Sequence, residues 1–592
     1  LSEKTIIGIP TAPGIAIGEV FILRHDIPEF REHYIPEEKR DYEIIRLEES
    51  LIKTGRQLDA LRIRMAHLVG DSIARIFDAQ AAILEDIEFK NPIYKSISED
   101  GLNAESAVNK TAEKLFDALQ STGDEIFRAK AQDINDIARR LVKNLLGKSE
   151  SAIGPLKRPA ILVTDNLLPS DVIHLLRENV QAVASDLGGT ASHTAILTRS
   201  LEVPSIVGLK DLTKFAVNKE RIIVNGNSGK VILNPTEETI NKYQRKKDKY
   251  EEYLVGLSDI ERLPAETKDG HRVTISANIE LPSEVKSVLS HGIEGIGLFR
   301  SEYLFLTRNA IPVEEDQYRD YCDVIKKVSP HTVTIRTFDL GGDKVFTDLP
   351  MPTEQNPFMG WRAIRVFSEE PKFLQTQIRA ILRAAAIGPA RIMFPFVSDL
   401  DEVLYLKKMV YNVIQKLDEE GEDHDGNIKI GIMIELPSAV VMAERIAKEV
   451  DFFSIGTNDL TQFVLAVDRG NERVSSLYRP LHPAVIRMIK TTVDAGHSAG
   501  IEVALCGELA ANPIATMLLV GLGVDVLSVS PFASGEIKKI IRSMNFHQAV
   551  DFANEALKLD THKQLRTYCI ETMKRQFAEV PIWFENNNHK LQ

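Results

Sequence analysis

From about residue 264 onward the chain repeats one pattern, a short apolar run, a loop and a helical stretch, and this constrains its fold more than any other feature. The candidate strands are 273–277, 295–298, 333–335, 391–394, 428–434, 452–454, 503–505 and 525–529. Eight strand–helix units in roughly 330 residues predict a (β/α)8 barrel over 264–592.

In such barrels the active site lies at the C-terminal ends of the strands, so the residues after each strand are informative. Asn278 follows the first and Arg300 the second. Arg336 and Asp339 follow the third, and Glu435 ends the fifth. Asn458 and Asp459 follow the sixth, Cys506 and Glu508 the seventh. The arginines offer planar forks suited to carboxylate and phosphate oxygens. Glu435 and Asp459 are hard oxygen donors, and magnesium is commonly held by one or two carboxylates plus substrate phosphate. The set describes a pocket for a small, highly anionic, metal-bridged phosphate ester. Any one of these arginines, read alone, is better explained as a surface ion pair; it is their convergence that points to a site. Cys506 alone is equally well explained as a buried core residue and as a general acid.

The first half of the chain has a different texture. Residues 4–22 read as short strands broken by Pro10, Pro13 and Gly14. From 37 to 147, helical periodicity dominates: Leu58, Leu61, Met65 and Leu68 form one apolar stripe, and Ile134, Ile137, Leu141 and Leu145 another. This is a helical bundle, assigned to 23–149. Strands at 160–164, 182–185 and 205–207, a hairpin of 221–224 with 231–233, and helices opening near 169 and 192 describe a compact α/β unit over 150–235. If strands 1–22 join its sheet, the bundle is an insertion. Residues 236–263 are Lys/Glu-rich and predict a solvated linker helix.

The densest signal in the α/β unit is Gly188-Gly189-Thr190-Ala191-Ser192-His193-Thr194-Ala195. The glycines permit a tight turn, and Ser192 or Thr190 can cap the following helix. His193 then falls in the first turn, where free backbone amides stabilise an anion. A lone histidine is more often a capping-loop residue without chemistry, and His174, between Ile173 and Leu175, keeps that reading.

Composition narrows the class further. The 592 residues carry 85 acids against 72 bases, a net charge of -13 that disfavours non-specific nucleic-acid binding. Three widely spaced cysteines, Cys322, Cys506 and Cys569, suit neither a disulfide framework nor a zinc cluster and predict a reducing, cytoplasmic setting. No signal-peptide pattern opens the chain, and no run of about 18 apolar residues predicts membrane insertion.

With these residues assembled, the chain resembles enzyme I of the bacterial phosphoenolpyruvate:sugar phosphotransferase system. The resemblance runs from Gly8 to about Arg542. It is carried by 188–208, by Gly295-Ile-Gly-Leu-Phe-Arg-Ser-Glu-Tyr-Leu-Phe305 and by Arg336-Thr-Phe-Asp-Leu-Gly-Gly-Asp-Lys344. It continues through Asn356-Pro-Phe-Met-Gly-Trp-Arg362, Gly431-Ile-Met-Ile-Glu-Leu-Pro437, Ser454-Ile-Gly-Thr-Asn-Asp-Leu-Thr-Gln462 and Cys506-Gly-Glu-Leu-Ala510. The resemblance implies a swivelling phosphohistidine domain with an inserted helical carrier-binding domain, then a phosphoenolpyruvate-binding TIM barrel that dimerises. It implies that His193 is phosphorylated and that Cys506 protonates the enolate. Arg300, Arg336, Asn458 and Arg469 match substrate contacts, and Glu435 and Asp459 match ligands of Mg2+. Lys344 and Arg362 lie in motifs lining the same pocket. The implied reaction moves the phosphoryl group of phosphoenolpyruvate to the histidine-containing phosphocarrier protein HPr, releasing pyruvate, as the first step of sugar phosphotransfer. Two positions depart from the family pattern. Ala191 stands where Thr is usual, and Asn225 replaces a strand-end Asp. Dikinase-like enzymes share the histidine unit and barrel, but they carry an ATP-binding domain for which this sequence has neither the length nor a Gly-rich phosphate loop. A regulatory, non-catalytic paralogue is disfavoured by retention of every reacting group.

Overall fold

A computed structural model describes residues 2–23, 28–69, 76–120, 125–148, 158–168, 171, 179–189, 194–195, 198, 203–306, 312–341, 356–469, 471, 474 and 477–577. The chain divides into two compact units, 1–251 and 252–592.

The first unit contains an eight-stranded sheet. Its strands are β1 (Lys4–Ile7), β2 (Ile9–Ala12), β3 (Ile15–Leu23), β4 (Ala160–Thr164), β5 (Val180–Ser185), β6 (Ser205–Val207), β7 (Arg221–Asn225) and β8 (Lys230–Leu233), in the order β1-β8-β7-β3-β4-β5-β6-β2. The N-terminal strands therefore belong to the α/β unit. β3 is central, running parallel to β4 and antiparallel to β7. Helices Glu37–Val69, Ile76–Glu85, Ile87–Ser98, Ala104–Gln120 and Glu125–Leu145 are inserted between β3 and β4. The apolar stripes read from the sequence face inward: Leu58, Leu61, Ile134, Ile137 and Leu141 are buried. Gly188 adopts φ 110°, which supports the expected tight turn. Asn225 Oδ1 accepts from the Asn227 backbone at 3.1 Å, so a neutral amide suffices at that strand end. His174 and 190–193, with the helices expected at 169 and 192, lie outside the described residues apart from short pieces.

The linker helix is present as Glu237–Glu261, but it is not solvated all round. Tyr243 packs against Ile15, Ile223 and Ile232 in the first unit. Tyr253 and Leu257 are buried in the second. There Tyr253 OH donates to Glu536 Oε1 at 3.4 Å, and Lys539 Nζ lies 4.5 Å from the Tyr253 ring. Two well-spaced tyrosines among charged residues were the available signal.

Burial pushes the Glu536 carboxyl up to about 7 from an ordinary 4.5. The folded chain thus holds this proton more tightly than the unfolded chain, and stability falls as pH rises from about 4.5 to about 7. Glu536→Gln should stabilise the second unit by roughly 1–2 kcal/mol at pH 8, a range reduced for the carboxyl's partial contact with water. The gain should shrink as pH falls toward about 5. Urea unfolding at both pH values measures it; equal stability at pH 8 would mean the carboxyl is well hydrated.

The second unit is the closed barrel the sequence predicts. Its strands are β9 (Thr274–Ile279), β10 (Ile296–Arg300), β11 (Val333–Arg336), β12 (Ala390–Phe394), β13 (Lys429–Ile434), β14 (Phe452–Ile455), β15 (Glu502–Leu505) and β16 (Val526–Val529). All eight neighbour pairs are parallel, and β16 closes on β9 with Val526 opposite Thr274. Leu298, Met393, Met433 and Phe452, one from each of four strands, pack with Cys506 into one cluster.

Candidate active site

The C-terminal ends of β10 to β15 deliver the expected polar residues to one face of the barrel. Arg336, the last residue of β11, is almost fully buried. Its Nη2 donates to Glu302 Oε1 at 2.8 Å, and its Nη1 lies 3.6 Å from Asp339 Oδ2. Burial alone would favour losing its charge, but Glu302, Asp339 and Glu435 more than reverse this and hold the guanidinium ionised.

Arg362 is the centre of the cluster. Its Nε and Nη2 form a fork on Asp339 at 2.7 and 2.8 Å, and Nη2 also reaches Asp459 Oδ2 at 3.1 Å. Its guanidinium lies 4.6 Å from the centre of the Phe396 ring. Phe396 adopts φ 57°, unusual for a bulky residue, and this turns its backbone N–H onto Glu435 Oε2 at 2.9 Å. One strained residue thus supports a cation and a carboxylate together.

Glu435 and Asp459 are both buried and titrate against each other. Burial, then the charges of Asp459 and Asp339, push Glu435 up to about 8. Burial opposes ionisation of Asp459 as well, but Arg362 and Arg469 outweigh it and hold that carboxyl below its usual range. Asp459 Oδ1 is buried with no hydrogen-bond partner among the described residues.

The remaining expected residues are less enclosed. Arg300 pairs with Glu280 and is about one-third exposed. Asn458 is half-buried, and its Oδ1 accepts from the Glu508 backbone at 2.9 Å. Arg469 is exposed on the loop after helix Thr457–Leu465, with its backbone N–H on Gln462 Oε1 at 3.1 Å. Asn278 is a brace: its Nδ2 donates to the carbonyls of Cys506 and Ser528 at 3.0 and 3.1 Å, tying three strand ends together. His193 and Lys344 lie outside the described residues.

Cys506 follows β15, and its thiol donates to the Ile455 carbonyl at 3.7 Å. Burial pushes it up to about 11, so it remains a thiol at neutral pH. That is the form a proton donor needs; a nucleophile needs the thiolate. Cys569, within helix His562–Gln576, is pushed up to about 12 by burial alone, so position marks Cys506 out, not the shift. Gly507 has an ordinary φ of -75°. The glycine is required because a Cβ there would sit 1.9 Å from Thr457 Oγ1, not because the backbone is unusual.

Sequence reasoning left two members of this cluster without a firm role, Arg362 and Glu302. Both stand inside the motifs that carry the resemblance, at Gly-Trp-Arg and Arg-Ser-Glu. What they touch depends on chain segments far apart in sequence.

A parallel barrel with arginines and carboxylates gathered at its strand ends, joined to a separate histidine-bearing α/β unit, defines a phosphoenolpyruvate-utilising enzyme. Three family models agree: the phosphoenolpyruvate-binding domain matches 256–546, the N-terminal domain 7–130 and the mobile domain 156–229. The chain belongs to the phosphoenolpyruvate-protein phosphotransferase family, the enzyme I proteins. It is 40% identical over 560 residues to the phosphoenolpyruvate-protein phosphotransferase of Haemophilus influenzae, covering 95% of this chain and 97% of that one. It is 37% identical over 578 residues to that of Geobacillus stearothermophilus, covering 98% and 99%. The Bacillus subtilis protein of the same name is 36% identical over 567 residues, covering 96% and 99%.

Proposed function

We propose that phosphoenolpyruvate binds at the C-terminal ends of the barrel strands, that His193 accepts its phosphoryl group, and that the histidine-containing phosphocarrier protein HPr receives it. The observation that most supports this reading is the buried Arg336–Asp339–Arg362–Asp459 network beside Glu435 and Cys506. Arg300, Arg336 and Arg469 carry the positive charge that an ester with a carboxylate and a phosphate requires. Asn458 supplies an amide at the same face.

Glu435 and Asp459 fit a role in holding Mg2+. Both are hard oxygen donors, and Asp459 Oδ1 is buried without a hydrogen-bond partner among the described residues. When bound there, magnesium would withdraw charge from the phosphate oxygens. The protein's own share is positioning and electrostatics, which phosphoryl transfer chiefly needs. Neutral His193 attacks phosphorus in line, the N–P bond forms and the bridging P–O bond breaks. The departing enolate takes the Cys506 proton at carbon and becomes pyruvate; solvent then restores the thiol.

The domain limits follow the same reading: 1–22 with 150–235 for the phosphohistidine domain, 23–149 for carrier binding, 236–263 for the linker and 264–592 for the barrel, which would also dimerise. The carrier's site would be the inserted bundle. A cytoplasmic setting belongs to the same proposal; no helix among the described residues is long and apolar enough to cross a membrane.

The direct test uses the full chain, Mg2+ and phosphoenolpyruvate labelled in its phosphoryl group, without ATP. Acid-labile, base-stable label should appear on His193 and leave when the carrier is added. Label that appears only with ATP would favour a dikinase-like reaction, and no label at all would make Ala191 the first residue to revert to Thr.

A further inference from the structure

Glu302 is a buried carboxylate that the proposed mechanism does not use. It stands just past β10, and a single oxygen, Oε1, accepts two hydrogen bonds from the neighbouring strand end. One comes from Arg336 Nη2 at 2.8 Å and the other from the Asp339 backbone at 2.9 Å. A second set of buried groups holds the same segment from behind. Ser301 Oγ donates to the Arg336 carbonyl at 2.8 Å. Gln377 Nε2 donates to Ser301 Oγ at 2.9 Å and to Tyr321 OH at 3.0 Å, while Gln377 Oε1 accepts from the Phe338 backbone at 2.9 Å.

These contacts have a clear backbone logic. β11 ends at Arg336, so the amides of 338 and 339 lose their ladder partners while remaining buried. Buried amides require replacements, and Gln377 and Glu302 provide them. Glu302 does more than this, because it also carries the charge that anchors the guanidinium. Among the described residues, Arg336 Nη1 has only longer contacts, 3.6 Å to Asp339 and 3.9 Å to Met433 Sδ. Its Nε has no hydrogen-bond partner among the described residues. The guanidinium is therefore gripped firmly at one corner, and Glu302 is the grip.

We propose that Glu302 is a positioning residue for substrate binding: it fixes the plane of the Arg336 guanidinium at the end of β11. Without its charge, Arg336 is drawn toward Asp339, which already holds the Arg362 fork, and away from the strand end. This rests on Arg336 contacting phosphoenolpyruvate, as proposed above.

The test is a double-mutant cycle in the full chain, with steady-state kinetics and thermal unfolding of each variant. Glu302→Gln keeps an acceptor oxygen but removes the charge, and should raise KM for phosphoenolpyruvate by about 10–100-fold, the range seen when groups that orient metal ligands are lost. KM for the phosphocarrier should hold, and the variant should stay folded at the assay temperature even if its melting temperature falls. In an Arg336→Ala background, Glu302→Gln should cost less than about threefold more, since coupled residues are not additive. Glu302→Asp keeps the charge but withdraws it by one methylene; it should give the same split at smaller amplitude, and serves if the Gln variant folds poorly. An unchanged KM in folded Glu302→Gln, a full additional loss in the Arg336→Ala background, or a loss that merely tracks unfolding would overturn the proposal. If Arg336→Ala itself leaves KM unchanged, the substrate-site reading falls first and this inference with it.

Discussion

Cys506→Ala should cut the rate of pyruvate formation by roughly 10²–10⁴-fold, the range general acids contribute, while KM for phosphoenolpyruvate changes little. The asymmetry follows from where the thiol lies. It is buried in a cluster with Leu298, Met393, Met433 and Phe452, and it hydrogen-bonds to the Ile455 carbonyl rather than to the arginines proposed to bind substrate. Losing one sulfur from this cluster costs packing energy of only about 1 kcal/mol, so the fold should survive. On the proposed mechanism, however, the enolate loses its proton donor. Water can substitute, but without a fixed direction of approach. Proton addition in deuterated solvent should therefore lose facial preference in the variant, read by the chirality of the pyruvate methyl group from stereospecifically labelled substrate. Cys506→Ser should rescue poorly, because an alcohol is a far weaker acid than a thiol. A wild-type rate in Cys506→Ala would assign the proton to another group.

Arg362→Ala should be the most destabilising single change in the barrel, by about 3–5 kcal/mol, the cost of removing one partner from a buried charge network. Asp339 loses both bonds of its fork, and Asp459 loses its 3.1 Å contact. Three carboxylates, those of Asp339, Glu435 and Asp459, are then left buried with less compensating charge, from Arg336 and, at Asp459, from Arg469. Their native affinity for protons must rise above the unfolded value, so the lost stability should be largest at high pH and partly recovered toward pH 5. Urea unfolding at about pH 8 and pH 5 measures both the size and the sign. Arg362→Lys should recover charge but little of the stability, because an ammonium cannot span the Asp339 fork and Asp459 at once. A pH-independent loss would mean that the carboxylates had found other partners or water.

Much of this protein was legible in its sequence because the relevant signals are local. Eight apolar runs at barrel spacing identify eight strands, and the residue after each strand identifies which side chains stand at its C-terminal end. The bundle's stripes at Leu58 and Leu61, and at Ile134 and Ile137, are likewise a matter of helical spacing. The family motifs are continuous segments, so they are readable before any folding is known. The linker helix was legible as a helix, but its burial was not. Tyr243 and Tyr253 find their partners on opposite sides of the unit boundary, and no local pattern says which residues those are.

The tertiary structure decided how the charges are shared. Arg362, Asp339 and Asp459 are separated by 23 and 97 residues along the chain, yet lie within one hydrogen-bonded cluster. Glu302 and Gln377 meet the same four-residue segment from two directions. That Gly507 answers to a close approach is equally a matter of what lies opposite it. The physical reason is common to all these cases. Periodicity and turn chemistry act over a few residues and are written in order along the chain. Burial, and the charge compensation it forces, depend on which distant segments the closed barrel brings together.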